Sequence, residues 1–392
     1  MLHYTLRNRF VLGLALVIGL TTACKKKEGD PDPTPSTPAF RTTTIEYSTL
    51  TPTTSYRTAF LDANGDSTVN RTTGRTRLLM LKAMDVYIKS AASSGVAIDS
   101  TIMSNMFRNQ NSPYSGNYVG LNTAGLPMIG ATATTSIYAQ DIYEDFEGYF
   151  GAHDLASQSA TGTASKGTAG KLGTYLLDTA GIEWAQVISK SFIGAYQVDY
   201  ICNVLLNTGL NVDNTMLVAG HNYTALEQTW DEAYGFLTNN DIYAAGATDV
   251  TKNPTESFLG SYVWEYNKAG YPLLYAAFLK GRAAVHNNDM VTVRAQAAII
   301  RGIIEKAIGA AAKGYMVKAA DGSSTEASRA HAFGEGYGFI YATQFCTLTG
   351  ANAAFTEDLI DDLFVTSGTT FYDITASQYT GVTNKLNAKF NL

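Results

Sequence analysis

Between Thr76 and Ala92 the apolar residues Leu78, Leu81, Met84 and Ile88 recur at spacings of three and four, which places them on one face of a helix. The same period returns along the chain and predicts further helices at 99–109, 134–158, 182–208, 222–238, 256–267, 272–287, 289–313, 324–348 and 355–366. Alternating patterns are scarce. Thr42-Thr43-Thr44-Ile45 and Tyr175-Leu176-Leu177 are the best extended pieces, and segments that short make no independent sheet. The expected fold class is therefore all-α, a large helical bundle.

One apolar run has a different character. Arg7 and Arg9 precede the apolar stretch Phe10 to Leu20, and small residues Thr21, Thr22 and Ala23 lead directly to Cys24. A basic start, a short apolar core and small residues at a cleavage point are the three parts of a secretory signal, and the run is too short for a comfortable membrane span. The stop before Cys24 resembles a lipobox, although Leu20 lies four residues before the cysteine where three is usual. Residues 1–23 are read as a lipoprotein signal peptide, with Cys24 as the lipidated first residue of the mature chain. Residues 24–40 hold four of the nine prolines and read as a tether. Proline-rich chain extends roughly 3 Å per residue, so this segment reaches about 50 Å from the lipid. Lys25, where an aspartate would resemble an inner-membrane retention signal, points to the outer membrane, on its periplasmic face or the cell surface. Residues 41–392 are left as one helical domain, long enough to bury a large core.

The formal charge of −6 becomes −8 once Arg7 and Arg9 leave with the signal, which argues against nucleic acid as a partner. Cys202 and Cys346 each sit inside an apolar run. An envelope location permits a disulfide, but buried free thiols packing as small hydrophobes are the expected state. Glycine stands inside helical patterns at Gly194, Gly302, Gly309, Gly334, Gly336 and Gly338. Each costs about 1 kcal/mol in propensity relative to alanine, so either close helix approach or room for a ligand must compensate. The helix after Thr325 has few charges beyond Arg329, which predicts burial on all sides and a partner for every polar group on it. Ser157 to Thr174, rich in Gly, Ser, Thr and Ala, reads as a flexible connection or a flap over a site. No Gly-Lys-Ser/Thr follows at P-loop spacing.

Two segments look alike. Trp230-Asp-Glu-Ala-Tyr-Gly-Phe-Leu237 and Phe333-Gly-Glu-Gly-Tyr-Gly-Phe-Ile340 match at a constant offset of 103 residues, which suggests two pseudo-repeated halves. Under that offset Gln228 aligns with His331 and Glu232 with Glu335. A spacing of i to i+4 puts each pair on one helix face, and facing helices would bring Gln228, Glu232, His331 and Glu335 into one cluster. Inward carboxylates and an imidazole are how helical bundles hold metals; the same residues also suit a buried hydrogen-bond network that fixes helix register. Glu227, Asp231, Tyr234 and Tyr337 are the supporting groups, while His221 falls on a different face from Glu227. Asp62, Asn64, Asp66 and Thr68 resemble half a calcium loop, but the glycine and glutamate positions of the full loop are not met, and a polar turn is expected. No Ser-His-Asp order, HExxH or CxxC pair supports a specific hydrolase, zinc protease or redox enzyme.

Asp178 to Gln186, Thr224 to Phe236, Phe278 to Ala284 and His331 to Glu335 together resemble the domain of unknown function 4856 of Bacteroidetes lipoproteins, over nearly everything after the tether. That family is distantly similar to imelysin-like, iron-regulated envelope proteins, and the resemblance implies a helical bundle with an internal duplication and a functional His/Glu motif. Gln228 stands where the family commonly has histidine. The imelysin pattern Gly-x-His-x-x-Glu has no full match, since Gly220-His221 runs into Asn222, Tyr223 and Thr224. The resemblance implies a lipid-anchored binding protein for iron or haem uptake beside an outer-membrane transporter. Its alternatives are an imelysin-type peptidase and a structural or partner-docking lipoprotein.

Overall fold

The computed structural model describes residues 41, 43–126, 139–242, 256–366 and 368–392. The signal peptide, Cys24 and the tether lie outside the described residues, as do the first five residues of the helix expected at 134–158. The architecture is all-α. Helices α1 (Thr72–Ser94), α2 (Ser100–Arg108) and α3 (Ala139–Ser157) precede a two-stranded antiparallel hairpin, β1 (Gly170–Leu172) and β2 (Tyr175–Leu177). Then follow α4 (Trp184–Phe192), α5 (Ala225–Leu237), α6 (Phe258–Tyr266), α7 (Tyr271–His286), α8 (Met290–Ala320), α9 (Glu326–Ala342), α10 (Ala353–Leu363) and α11 (Ala376–Phe390). Helix α8 keeps one face in solvent and packs with the other on α6, α7, α9 and α11, while α4 packs on α9 and α3, and α5 on α1. No helix among the described residues is long and apolar enough to cross a membrane.

The expected helix over 182–208 starts as α4 but continues as a π-helical segment from Ile193 to Leu205, with its bonds one residue wider than in an α-helix. Inside it, Gln197 donates to the carbonyl of Phe236 at 2.9 Å and accepts from the amide of Leu259 at 3.1 Å, tying the end of α5 to the start of α6. Helix α8 runs past 313 to Ala320, whereas α9 stops at Ala342 and yields to a 3₁₀ turn before Cys346. The expectation that α9 is buried holds for every residue from Ala332 to Ala342. Cys202 and Cys346 are buried free thiols. The expected loop at 157–174 is ordered at its end as β1. Helix α11 is an element that the sequence reading passed over; it begins with a capping box between Thr375 and Gln378 and buries Tyr379, Val382, Leu386 and Phe390.

The chain enters the fold along the end of α7. Thr43 offers its carbonyl to His286 at 3.0 Å, Ile45 exchanges two hydrogen bonds with the Asn287 side chain, and the Tyr47 hydroxyl donates to Asp289 at 2.8 Å. These contacts dock the root of the expected tether on the bundle.

Most of the helix glycines mark close approach. A Cβ on Gly194 would lie 2.4 Å from Ala342 Cα, so the π segment and α9 touch backbone to backbone there. Gly302 differs, with nothing nearer than Leu348 Cδ2 at 3.9 Å. Replacing Gly194 by alanine should therefore destabilise by about 1–3 kcal/mol through overpacking. The Gly302→Ala variant should be neutral or more stable by up to about 1 kcal/mol. Urea denaturation of the two variants reads both effects; equal effects would remove the close-packing explanation.

On α3, His153 is buried, with Nε2 bonded to the carbonyl of Ile88 at 2.6 Å, and burial holds its pKa below the ordinary histidine range. Its folded pKa is thus lower than its unfolded value of about 6.5, so its stabilisation is complete above that pH and lost as pH falls through the folded value. Glu256, whose carboxyl burial pushes up to about 7, works in the opposite sense, so the histidine is read as a difference: from pH 7 to pH 5 the melting temperature of His153→Phe should fall less, or rise more, than that of the wild type.

Candidate functional site

Helix α5 opens with a capping box in which Thr224 accepts from the Glu227 amide and Glu227 accepts from the Thr224 amide. The Glu227 carboxylate has a second use. One turn apart on the same face, Glu227 and Asp231 both meet Arg282 of α7, whose side chain is fully buried: Nη1 lies 3.0 Å from Glu227 and Nε 2.8 Å from Asp231. Arg41 adds a second cation on Glu227, and Asp231 also accepts from the Tyr56 hydroxyl at 2.9 Å and the Asn70 amide at 3.0 Å. Burial works to raise the Glu227 carboxyl, but Arg282 and Arg41 outweigh it and hold its pKa low. At Asp231 burial prevails over Arg282 and pushes the carboxyl up. Two arginines against two carboxylates leave this centre without net charge, the condition for burying it.

Glu232, on the adjoining face of α5, turns to α1. Arg77 donates through Nε at 2.9 Å, and the guanidinium lies 4.6 Å from the centre of the Tyr200 ring. Gln228, one turn earlier, is half-buried. Tyr234 donates to the Asn240 carbonyl at 3.0 Å and stacks on Tyr56 at 4.1 Å.

The second motif builds a separate site between α9 and α4. Glu183, directly before α4, is placed by the Asp178 turn: Asp178 accepts from the Ala180 and Ile182 amides and from the Trp184 indole. Gly334 and Gly338 let α9 lie against α4, with Gly334 at Glu183 and Gln186 and Gly338 at Lys190. That approach brings the Glu183 carboxylate to 2.6 Å from His331 Nδ1. His331 Nε2 faces Glu335 Oε2 at 3.6 Å, and the other oxygen, Oε1, takes the Lys190 ammonium at 3.2 Å and the Tyr262 hydroxyl at 3.3 Å. Burial pushes the Glu183 carboxyl up, against the pull of His331. Tyr175 of β2 stacks on the imidazole at 4.1 Å, so the hairpin covers one face of this group. His331 retains 26% exposure, against 6% for Glu183 and Lys190 and 11% for Glu335, and is the point at which the buried charges reach the surface.

The expected single cluster thus divides. His331 and Glu335 share a face and a site, whereas Glu232 and its neighbours answer to Arg77 and Arg282; α5 packs on α1, α7 and the π segment, and α9 on α4, α8 and the π segment. Tyr337 is buried among Phe333 and Phe364. Among the described residues, no group of three or more His, Cys, Asp or Glu side chains is placed to hold a metal ion. The DANGDST turn is closed on itself and its neighbours: Asp62 accepts from the amides of Asn64 and Asp66 and from the side chain of Asn222. His221 stacks on Tyr223. Glu183, Lys190, Tyr262, Arg77 and Arg282 were not singled out from sequence. Arg282 carried a usable signal, an arginine followed by Ala-Ala-Val in a helix that has no acidic residue, so that its counter-charge has to come from elsewhere.

An all-α domain with two buried acid–base centres, one of them open at a histidine, is the class that fold and site define. The chain belongs to the family described as Domain of unknown function (DUF4856), whose model matches residues 56–392. No curated protein and no solved structure matches the chain.

Replacing Arg282 by methionine leaves Asp231 buried without its cation and should cost about 3–5 kcal/mol in chemical denaturation. Arg282→Met combined with Asp231→Asn should recover part of that loss, since the amide removes the unpaired charge, its oxygen still accepts from Tyr56 or the Asn70 amide, and Glu227 keeps Arg41. A single variant no less stable than the wild type would show that this centre does not hold the fold.

Proposed function

We propose that the protein is a lipid-anchored outer-envelope binding protein that serves iron or haem uptake, with His331 as the residue that meets the ligand. The observation that carries this reading is the state of the His331 imidazole. One nitrogen is committed to a buried carboxylate, which fixes the tautomer and the ring, while the other points to a carboxylate oxygen beyond hydrogen-bonding length. A carboxylate behind an imidazole is the arrangement that orients metal-ligating histidines. The buried acids of the α5 motif, Glu227, Asp231 and Glu232, are each matched by arginine and serve stability in this reading. Peptidase chemistry gains no support from them, because Glu232 and Glu335 answer to different cations. The pairing of each motif glutamate with a cation on a neighbouring helix supports two repeated halves. Anchoring rests on Cys24 and the signal before it, and an outer-membrane transporter is the partner that such a location implies.

Two experiments test this. Cys24→Ser should shift the protein from the membrane to the soluble fraction, since acyl chains contribute about 0.8 kcal/mol per buried methylene; a variant that still sediments contradicts the anchor. Titration of the mature chain with iron salts and with haem should raise its melting temperature, and His331→Ala should lose that rise, whatever the apo melt itself loses by leaving Glu183 without its imidazole. An apo loss of about 1–3 kcal/mol with an unchanged ligand response would make His331 a hydrogen-bond partner of the core instead.

A further inference from the structure

We infer that His331 Nε2, Glu335 Oε2 and Gln186 Oε1 together form a site for a first-row divalent metal ion, with Glu183 as the positioning residue behind the imidazole. This deepens the binding role proposed for His331 and rests on it.

The Glu183 contact at 2.6 Å places a proton on Nδ1, and in the neutral imidazole, the form that binds a metal, this leaves the Nε2 lone pair toward Glu335. Nε2 and Glu335 Oε2 are then two acceptors facing each other at 3.6 Å. A cation placed about 2.1 Å from each would see them at an angle of about 120°, within the range of four- and five-coordinate sites. The carboxylate is held for this role from its other oxygen, where Lys190 and Tyr262 bind.

Gln186 supplies the independent observation. It lies on α4 three residues after Glu183 and four before Lys190, hence on the same helix face, and a Cβ on Gly334, the residue before Glu335, would lie 3.3 Å from Gln186 Cβ. The residue is more than nine-tenths buried, and its Oε1 has no hydrogen-bond partner among the described residues. A buried amide oxygen without a donor is a cost to the fold that a bound cation removes. The donors are one imidazole nitrogen and two oxygens, a set that suits ferrous iron, cobalt, zinc or manganese better than a soft ion. It also favours an ion over haem, because a porphyrin joined through Nε2 would need the position that Glu335 Oε2 holds. An amide in place of a third acidic or histidine ligand explains why no cluster of those residue types marks the site.

The test is anaerobic titration of the detergent-solubilised mature chain with Co(II), followed by visible absorption and melting temperature, with Zn(II) as competitor and haem in a parallel arm. The expected result is a saturable d–d band at one equivalent that Zn(II) displaces. His331→Ala should abolish it, and Glu183→Gln should weaken Co(II) binding about 10- to 100-fold. Glu335→Gln strips Lys190 of its counter-charge and risks the fold, so Gln186→Leu is the discriminating variant. It should keep or raise the apo melting temperature and lower Co(II) affinity at least about tenfold. Unchanged affinity in Gln186→Leu, or a band that survives His331→Ala, overturns the inference. Haem binding that depends on His331, without any Co(II) or Zn(II) response, overturns it and leaves the broader reading standing; no response in either arm removes both.

Discussion

The structure depends on a fully buried arginine. Arg282 has no solvent to share its charge, and a guanidinium in that position persists only where carboxylates meet it. Glu227 and Asp231 supply them, and doing so fixes α5 against α7 in both rotation and register, because the two acids share a face only at the i, i+4 spacing of an intact helix. The same contact reaches outward. Glu227 caps α5 and takes Arg41; Asp231 takes Tyr56 and the Asn70 amide directly before α1. One charge centre thereby joins α5, α7, the entry to α1 and the segment where the chain first enters the fold.

The second centre is built from the same materials with a different balance. At Arg282 each carboxylate is close to a guanidinium, and every member of the group is almost wholly buried. At His331 the tightest contact is to an imidazole, whose charge is conditional, and the group opens to solvent on that side. A closed, matched ion-pair centre stabilises a fold and offers nothing to a ligand. An open one leaves a place for a ligand, and Gln186, with its amide oxygen unpaired, packs against Gly334 in the same helix contact. The physical contrast separates the two motif helices more sharply than their sequence likeness joins them.

Much of this was legible in the chain. Helix identity followed from the three-to-four period wherever large apolar residues mark it, as in α1 with Leu78, Leu81, Met84 and Ile88. Helix α11 was missed because polar residues outnumber its four buried ones, although its capping box was there to read. The π winding after Phe192 has no period of its own in so apolar a stretch, where every residue from Ile193 to Asp199 is buried. At the site, the i, i+4 spacing brings His331 and Glu335 to one helix face, because that relation is local. Which helix lies opposite is not local. Glu183 is 148 residues from His331 in sequence, and Arg77 is 155 from Glu232, so spacing within one segment cannot name either partner. The glycines did hold that information in part: Gly334 and Gly338 announced that another helix comes close to α9, without saying that it is α4.

The most direct measurement is an anomalous-scattering map from crystals of the protein grown with Zn(II) or Co(II), collected at the absorption edge of the metal. The account predicts one strong peak between His331 Nε2 and Glu335 Oε2, within about 2.0–2.2 Å of each and with Gln186 Oε1 turned toward it. A map without a peak there, with Gln186 Oε1 bonded to a protein donor, would contradict it and leave the His331 centre a structural network.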